Sequence, residues 1–161
     1  MKKALTPEEA LFRAAALCST GERCRRDIAE KLTQWGIAAA DADRIIEHLA
    51  DGGYIDEERY CRSFVSDKLR FDRWGRIKIR YALAQKGIDN SLIQKYLSDI
   101  DEEQYRAALG ELLAKKRAAL SGGELEVRVK LMRFAASRGF EPDAIYAVLG
   151  EMSAEKYDCD D

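Results

Sequence analysis

The chain has 161 residues, 27 Lys and Arg against 29 Asp and Glu, and a formal net charge of −2, with 47% of its residues hydrophobic. That balance excludes a disordered polyelectrolyte and supplies the core of one ordinary domain or of several small units that share their cores. No apolar run approaches the roughly 20 residues of a membrane span, and Glu8-Glu9 break the apolar run that a signal peptide would need after Lys2-Lys3, so a cytoplasmic protein is expected.

In chain order, Thr6-Pro7-Glu8-Glu9 has the form of a capping box with Pro at the first helical position, and it opens a helical pattern "PEEALFRAAAL". After the short connection "STGER" at 19–23 comes "RRDIAEKLTQWGI" at 25–37, then the amphipathic "IAAADADRIIEHL" with Ile45 and Leu49 four apart, and "DGGY" at 51–54 marks a boundary. Asp56-Glu57-Glu58 precede an apolar helical face of Tyr60, Phe64, Val65 and Leu69 and read as a helix N-terminus, where carboxylates are favoured.

The next stretch, "DRWGRIKIRYALAQKGI" at 72–88, is ambiguous by itself. Ile77, Ile79, Tyr81 and Leu83 alternate with charged residues as in a half-buried strand, yet Ile79 and Leu83 also keep helical spacing. An internal repeat decides the matter. Residues 25–37, 76–88 and "RVKLMRFAASRGF" at 128–140 align on Gly36, Gly87 and Gly139. The shared apolar columns, Ile28/Ile79/Leu131 and Leu32/Leu83/Ala135, lie four apart, whereas Ile77 corresponds to Arg26 and Tyr81 to Glu30 and Arg133. The common signal is helical, and each helix ends at a glycine suited to the left-handed C′ position. "IDNSLIQKYL" follows with Asp89, Asn90 and Ser91 as start signals. "DIDEE" at 99–103 opens "DEEQYRAALGELLAKKRAAL", Gly122-Gly123 form a turn, and Pro142 starts a last helix in "FEPDAIYAVL".

The expected fold is therefore all-α: three tandem three-helix repeats at 1–52, 53–100 and 101–161, the last ending in the acidic tail "EMSAEKYDCDD". A lone unit of this size buries little surface, so the units should carry compact small cores or lean on their neighbours.

Chemistry is sparse. Cys18, Cys24, Cys61 and Cys159 form no CxxC pair and His48 is the only histidine, so reduced thiols are expected, with no metal, no cofactor and no catalytic constellation. Charge, in contrast, is segregated: nine Lys or Arg lie between Arg59 and Lys86 against Asp67 and Asp72, and seven lie between Lys115 and Arg138 against Glu124 and Glu126.

Residues 49–97 closely resemble the RecX family of bacterial regulatory proteins. The pattern G-Y-hydrophobic-D-[DE]-x-[RK]-[FY] is met by Gly53, Tyr54, Ile55, Asp56, Glu57, Arg59 and Tyr60. W-G-x-x-[RK]-I-x-x-x-L-x-x-K-G-I is met by Trp74, Gly75, Ile79, Leu83, Lys86, Gly87 and Ile88. "ASRGFEPDAIYAVL" is similar to the C-terminal pattern of the family. Many members have Pro where this chain has Arg76. The resemblance implies an elongated, curved array that binds filaments of the RecA recombinase on single-stranded DNA, and a monomer is expected. It also implies that the array modulates, mainly inhibits, RecA ATPase, strand exchange and co-protease activity in the SOS response.

A helical wheel puts Arg76 and Arg80 beside the Ile79/Leu83 stripe, at the rim of their bundle, with Lys78 on the other flank. Arg25 and Arg128 repeat Arg76, and Lys130 repeats Lys78, which suggests a basic ridge able to grip carboxylate or phosphate. The candidate partner contacts are Arg70, Arg73, Trp74, Arg76, Lys78, Arg80 and Lys86 in the middle unit. In the third unit they are Lys115, Lys116 and Arg117, then Arg128, Lys130, Arg133 and Arg138. Trp74 and Trp35 sit at helix junctions, where either exposure to a partner or local core capping is open. A direct DNA-binding, helix–turn–helix-like module is the alternative function.

Overall fold

The computed structural model describes residues 3–158; Cys159 and the final two aspartates of the acidic tail lie outside the described residues. Nine helices and no strand occur among them: α1 (Pro7–Thr20), α2 (Arg25–Gln34), α3 (Ala39–Asp51), α4 (Glu57–Arg70), α5 (Arg76–Gln85), α6 (Asn90–Ser98), α7 (Glu102–Ala118), α8 (Glu124–Ser137) and α9 (Pro142–Asp158). No helix among these residues is long and apolar enough to cross a membrane.

The starts follow from local chemistry. Thr6 Oγ1 accepts from Glu9 N at 3.2 Å while Glu9 returns a carboxylate oxygen to Thr6 N at 3.1 Å, and Pro7 occupies the first turn; such a cap contributes about 1 kcal/mol. Asp56 and Asp101 accept from Arg59 N and Gln104 N, at 3.0 and 2.9 Å, so both acidic clusters are helix caps. Asp89 accepts from Ser91 N at 2.8 Å ahead of α6.

The middle helix of each repeat ends in one motif. Ile37 N donates to Leu32 O, Ile88 N to Leu83 O and Phe140 N to Ala135 O, each with a second bond from the intervening glycine N–H to the carbonyl three residues before it. This is the paired 6→1 and 5→2 closure of a Schellman cap, which needs a left-handed residue at C′. Gly36, Gly87 and Gly139 supply it, with φ of 77°, 74° and 89°. The α5 segment is thus helical, with Ile79 and Leu83 fully buried while Ile77 and Tyr81 are 53% and 67% exposed.

The described residues form two compact units: residues up to Ser63 with Leu83–Ile93, and Phe64–Ala82 with the chain from Gln94 onward. The first has a core of Ala10, Ala14, Ile28, Leu32, Ile45, Ile46, Leu49 and Ile55, against which Trp35 packs, so Trp35 caps a core. Lys86 Nζ pairs with Asp27 at 2.6 Å in this unit.

The second unit centres on Tyr105, Leu109, Leu113, Leu131, Phe140, Ile145 and Leu149, with Leu69 and Ile100 packed against them. Here the α4–α5 turn meets the end of α8 backbone to backbone, Gly75 N donating to Arg138 O at 2.8 Å and Ile77 N to Gly139 O at 3.0 Å.

Cys24 and Cys61 are buried free thiols and Cys18 is a half-buried one. Burial pushes the thiols of Cys24 and Cys61 from 9.0 up to about 11 and raises the phenols of Tyr60 and Tyr105. All four are acids whose neutral form the fold favours, so above pH 9 the unfolded chain binds fewer protons than the folded one. The stability they contribute is complete below that pH and is lost as pH rises toward 11. Urea midpoints measured across this range should fall steadily above pH 9; a flat profile would contradict the burial of these groups.

Candidate partner-binding surface

Arg76, the first residue of α5, is not a free rim residue: its side chain is only 18% exposed. Its guanidinium pairs with Glu102 at 2.6 Å and Glu141 at 3.1 Å, donates through Nε to Leu97 O at 3.3 Å, and lies 4.0 Å from the centre of the Tyr105 ring. Its backbone N–H donates to Tyr105 Oη at 3.0 Å, and Tyr105 hydrogen-bonds Glu141 in turn. Proline at this position would lack that N–H, which gives the departure from the common family residue a physical use. Burial alone would lower the Arg76 pKa, but the hydrogen bonds to Glu141 and Glu102 outweigh it and raise it.

The equivalent Arg25 is used in the same manner, within the other compact unit. It pairs with Glu47 at 2.6 Å and approaches Glu57 at 3.8 Å. Glu57 and Glu102 are the first residues of α4 and α7. In two of the three repeats, then, this arginine ties its helix to the N-terminus of a following helix, where an acidic residue is already favoured. The expected ridge along Arg25, Arg76 and Arg128 is corrected accordingly: its first two members are clasps.

A different set of candidates converges on the turn between α4 and α5 in the second unit. Trp74 is half-buried, with Lys68 Nζ and Lys78 Nζ each 4.6 Å from its ring centre and the Phe64 ring 6.4 Å away, edge to face. Arg73, held at φ 55°, pairs with Glu111 at 2.7 Å, and Lys68 pairs with Asp72 at 3.1 Å. Arg138, whose carbonyl receives the Gly75 bond, sets its guanidinium 5.2 Å from the Phe134 ring centre, and Lys116 Nζ lies 4.7 Å from the same ring. Four cations therefore gather around two aromatic rings, Lys68 and Lys78 at Trp74 and Lys116 and Arg138 at Phe134, while Asp72 takes up Lys68 and Glu111 takes up Arg73. Cations beside aromatic faces at this range contribute about 0.5–1 kcal/mol each where solvent reaches them.

The Lys78 cation borders an apolar surface. Ile77 and Tyr81 lie one turn apart on the side of α5 opposite the buried Ile79 and Leu83, with Lys78 and Arg80 on either flank. Arg80 is exposed and donates to Gln94 Oε1 at 3.2 Å.

The remaining candidates stand apart. Arg70 is exposed over the exposed Phe71 ring. Arg117 and Arg128 line a cavity of about 640 Å³ with Leu131, Leu149 and Met152, and Lys130 pairs with Glu126 one turn away. Lys115 and Arg133 are exposed on α7 and α8. Lys68, Phe134, Ile77 and Tyr81 were missed by the sequence reading, although each belongs to an i,i+4 pair: Lys68 with Asp72, Phe134 with Arg138, Ile77 with Tyr81.

Family models match this chain twice: the RecX second three-helix domain at residues 56–97 and the RecX third three-helix domain at 102–149. Regulatory protein RecX of Chlorobium phaeobacteroides (strain BS1) is 32% identical over 139 residues, which span 86% of this chain and 90% of that protein. Regulatory protein RecX of Clostridium perfringens (strain SM101 / Type A) is 29% identical over 138 residues, and there the chain spans 84% of itself but 64% of the relative. The crystal structure of RecX from Lactobacillus salivarius is similar in fold, with a TM-score of 0.79 at 21% identity over 92% of this chain and 97% of that one. With both domain models matched over more than half its length and a relative spanned almost entirely, the chain belongs to the RecX family of non-enzymatic regulatory proteins.

Proposed function

We propose that this chain binds RecA filaments assembled on single-stranded DNA and modulates them, mainly by inhibiting ATP turnover, strand exchange and SOS co-protease activity. The observation that carries this reading is the mixed character of the α5 surface. Ile77 and Tyr81 are exposed apolar anchors framed by Lys78 and Arg80, and the aromatic-lined cations around Trp74 and Phe134 continue from them. Apolar anchors bordered by cations suit a protein surface carrying carboxylates, since the centre of an interface is bound by desolvated aromatic and aliphatic groups and its rim by charge. Phosphate contacts alone would use the cations and leave Ile77 and Tyr81 in water.

Titration of RecA's single-strand-dependent ATPase tests this. Lys78→Ala combined with Tyr81→Ala should need about tenfold more protein for half-inhibition, as expected for losing one anchor of roughly 1–2 kcal/mol. Its circular dichroism should match the wild type and its stability should fall by no more than about 1 kcal/mol, the loss of the Lys78 contact with Trp74, because Tyr81 points away from the core. Equal inhibition by the variant would remove this face from the contact.

The second reading, direct DNA binding through the same cations, draws support from their clustering. Filter binding without RecA separates the two: tight binding with a steep salt dependence would favour DNA as the partner, and weak binding favours RecA.

A further inference from the structure

The arginine clasp of the first two repeats has an unmet counterpart in the third. Arg25 and Arg76 each face a helix that opens in the same way, Asp56-Glu57-Glu58-Arg59-Tyr60 at α4 and Asp101-Glu102-Glu103-Gln104-Tyr105 at α7. The aspartate caps the helix, the next glutamate turns to the arginine, and the tyrosine three positions further is buried. At Arg76 the tyrosine completes the contact, with its ring beside the guanidinium and its hydroxyl accepting the backbone N–H.

Arg128 holds the equivalent place in α8, and among the described residues no helix follows α9 to reach it. It lines the cavity of about 640 Å³ instead, where Leu149 and Met152 stand at the positions of Leu97 and Ile100 in the second repeat. The charged groups of that wall are Arg117, Arg128 and Glu124. Both arginines are half-buried, Glu124 is exposed at the first position of α8, and none of the three has an ion pair among the described residues. The wall therefore carries one net positive charge. At its edge Leu125 is 76% exposed. The last unit of a repeat array is ordinarily closed by a polar outer face; this one keeps apolar side chains beside two unpaired arginines.

The helices that fill the equivalent places decide the occupant. A phosphate backbone would satisfy the arginines and leave Leu125, Leu149 and Met152 uncovered, whereas a wholly apolar segment would desolvate the arginines without pairing them. We propose that the cavity docks the first turn of a helix from a partner protein, one that opens with carboxylates and carries an aromatic residue three positions after the first glutamate. Its carboxylate meets Arg128 and its ring lies against Leu149 and Met152. Acidic residues are favoured at a helix start, so such a segment arrives with its charge in place, and the fork of a guanidinium fixes its direction. This contact is separate from the α5 surface and holds whichever protein supplies the helix.

Fluorescence anisotropy with the full chain tests the proposal. The probe is a peptide of residues 101–118, acetylated at its N-terminus and labelled at its C-terminus, because that segment fills the equivalent place in the second repeat and is rich in good helix formers. Binding should saturate, and Arg128→Gln should weaken it about tenfold, the share of one charge-assisted contact. A peptide with Glu102→Gln should lose about as much against the wild-type chain but nothing further against Arg128→Gln, since the two changes remove one contact. Tyr105→Ala in the peptide should weaken binding by a similar factor. Arg128→Gln breaks no ion pair and keeps most of the side-chain stem, so its thermal midpoint should stay within about 2 °C of the wild type. Absence of saturable binding overturns the proposal, as does binding that Arg128→Gln leaves unchanged. Binding that appears only after Asp160→Asn and Asp161→Asn are introduced overturns it too, because the occupant is then the chain's own acidic tail.

Discussion

Gly139→Ala should be among the most destabilising single-methyl additions this chain can receive, costing about 3 kcal/mol or more and lowering the thermal midpoint by roughly 10 °C. Two independent causes add. The residue sits at φ 89°, where a side chain costs about 1–2 kcal/mol. Its Cβ would also lie 2.3 Å from Lys78 Cβ and 2.5 Å from Lys78 N, so the α5 backbone must move away. That movement strains the hydrogen bonds from Gly75 N to Arg138 O and from Ile77 N to Gly139 O. Gly75 is fitted just as closely, with a Cβ only 2.4 Å from the Gly139 carbonyl.

Gly36→Ala provides the control. Gly36 has a similar φ of 77°, but nothing lies within 4 Å of the added Cβ, so only the backbone term of about 1 kcal/mol should appear. Each variant should be melted with a fluorophore in the unit that carries it. Trp35→Phe leaves Trp74 as the only tryptophan for Gly139→Ala, and Trp74→Phe leaves Trp35 for Gly36→Ala. Equal losses for the two glycine variants would mean that the close approach of α5 and α8 contributes nothing.

These two glycines also mark what the sequence could and could not disclose. Their left-handed role was legible in the repeat, because three copies place a glycine after the same apolar column and one helical cap explains all three. The helical nature of α5 was legible for the same reason: Ile79 and Leu83 recur in the sister copies and Ile77 does not. The clash at Gly139 was not legible, since it depends on Lys78, a residue 61 positions away that the chain brings against it. Charge failed similarly. Periodicity assigns Arg76, Lys78 and Arg80 to directions around one helix, but it does not say what stands opposite. Glu102 and Glu141, 26 and 65 residues distant, take up Arg76, whereas Lys78 meets Trp74, so neighbours of equal charge acquire different duties. A three-fold repeat likewise does not state how many compact bodies the chain makes, because that depends on which faces meet.

Arg76→Ala is expected to separate stability from regulation. The arginine is mostly buried, and its removal leaves Glu141, Leu97 O and the Tyr105 ring without their cation. Truncating one partner of a buried pair costs about 3–5 kcal/mol. Glu102 is 69% exposed, so its share is screened by water, and a loss of about 2–3 kcal/mol is expected in urea unfolding. Arg76→Lys should recover only part of this, because an ammonium cannot bond two carboxylates and a carbonyl with the fixed fork of a guanidinium. Tyr105→Phe removes the acceptor of the Arg76 N–H and should cost about 1–2 kcal/mol. The Arg76→Ala/Tyr105→Phe double variant should lose less than the sum, since both belong to one network. At a temperature where Arg76→Ala remains folded, it should inhibit RecA ATPase as the wild type does, while Lys78→Ala/Tyr81→Ala shows the opposite pattern of near-wild-type stability and weak inhibition. If Arg76→Ala, shown to be folded, instead loses inhibition as strongly as the α5 surface variant, then its guanidinium reaches the partner as well as Glu141, and the clasp is itself part of the contact.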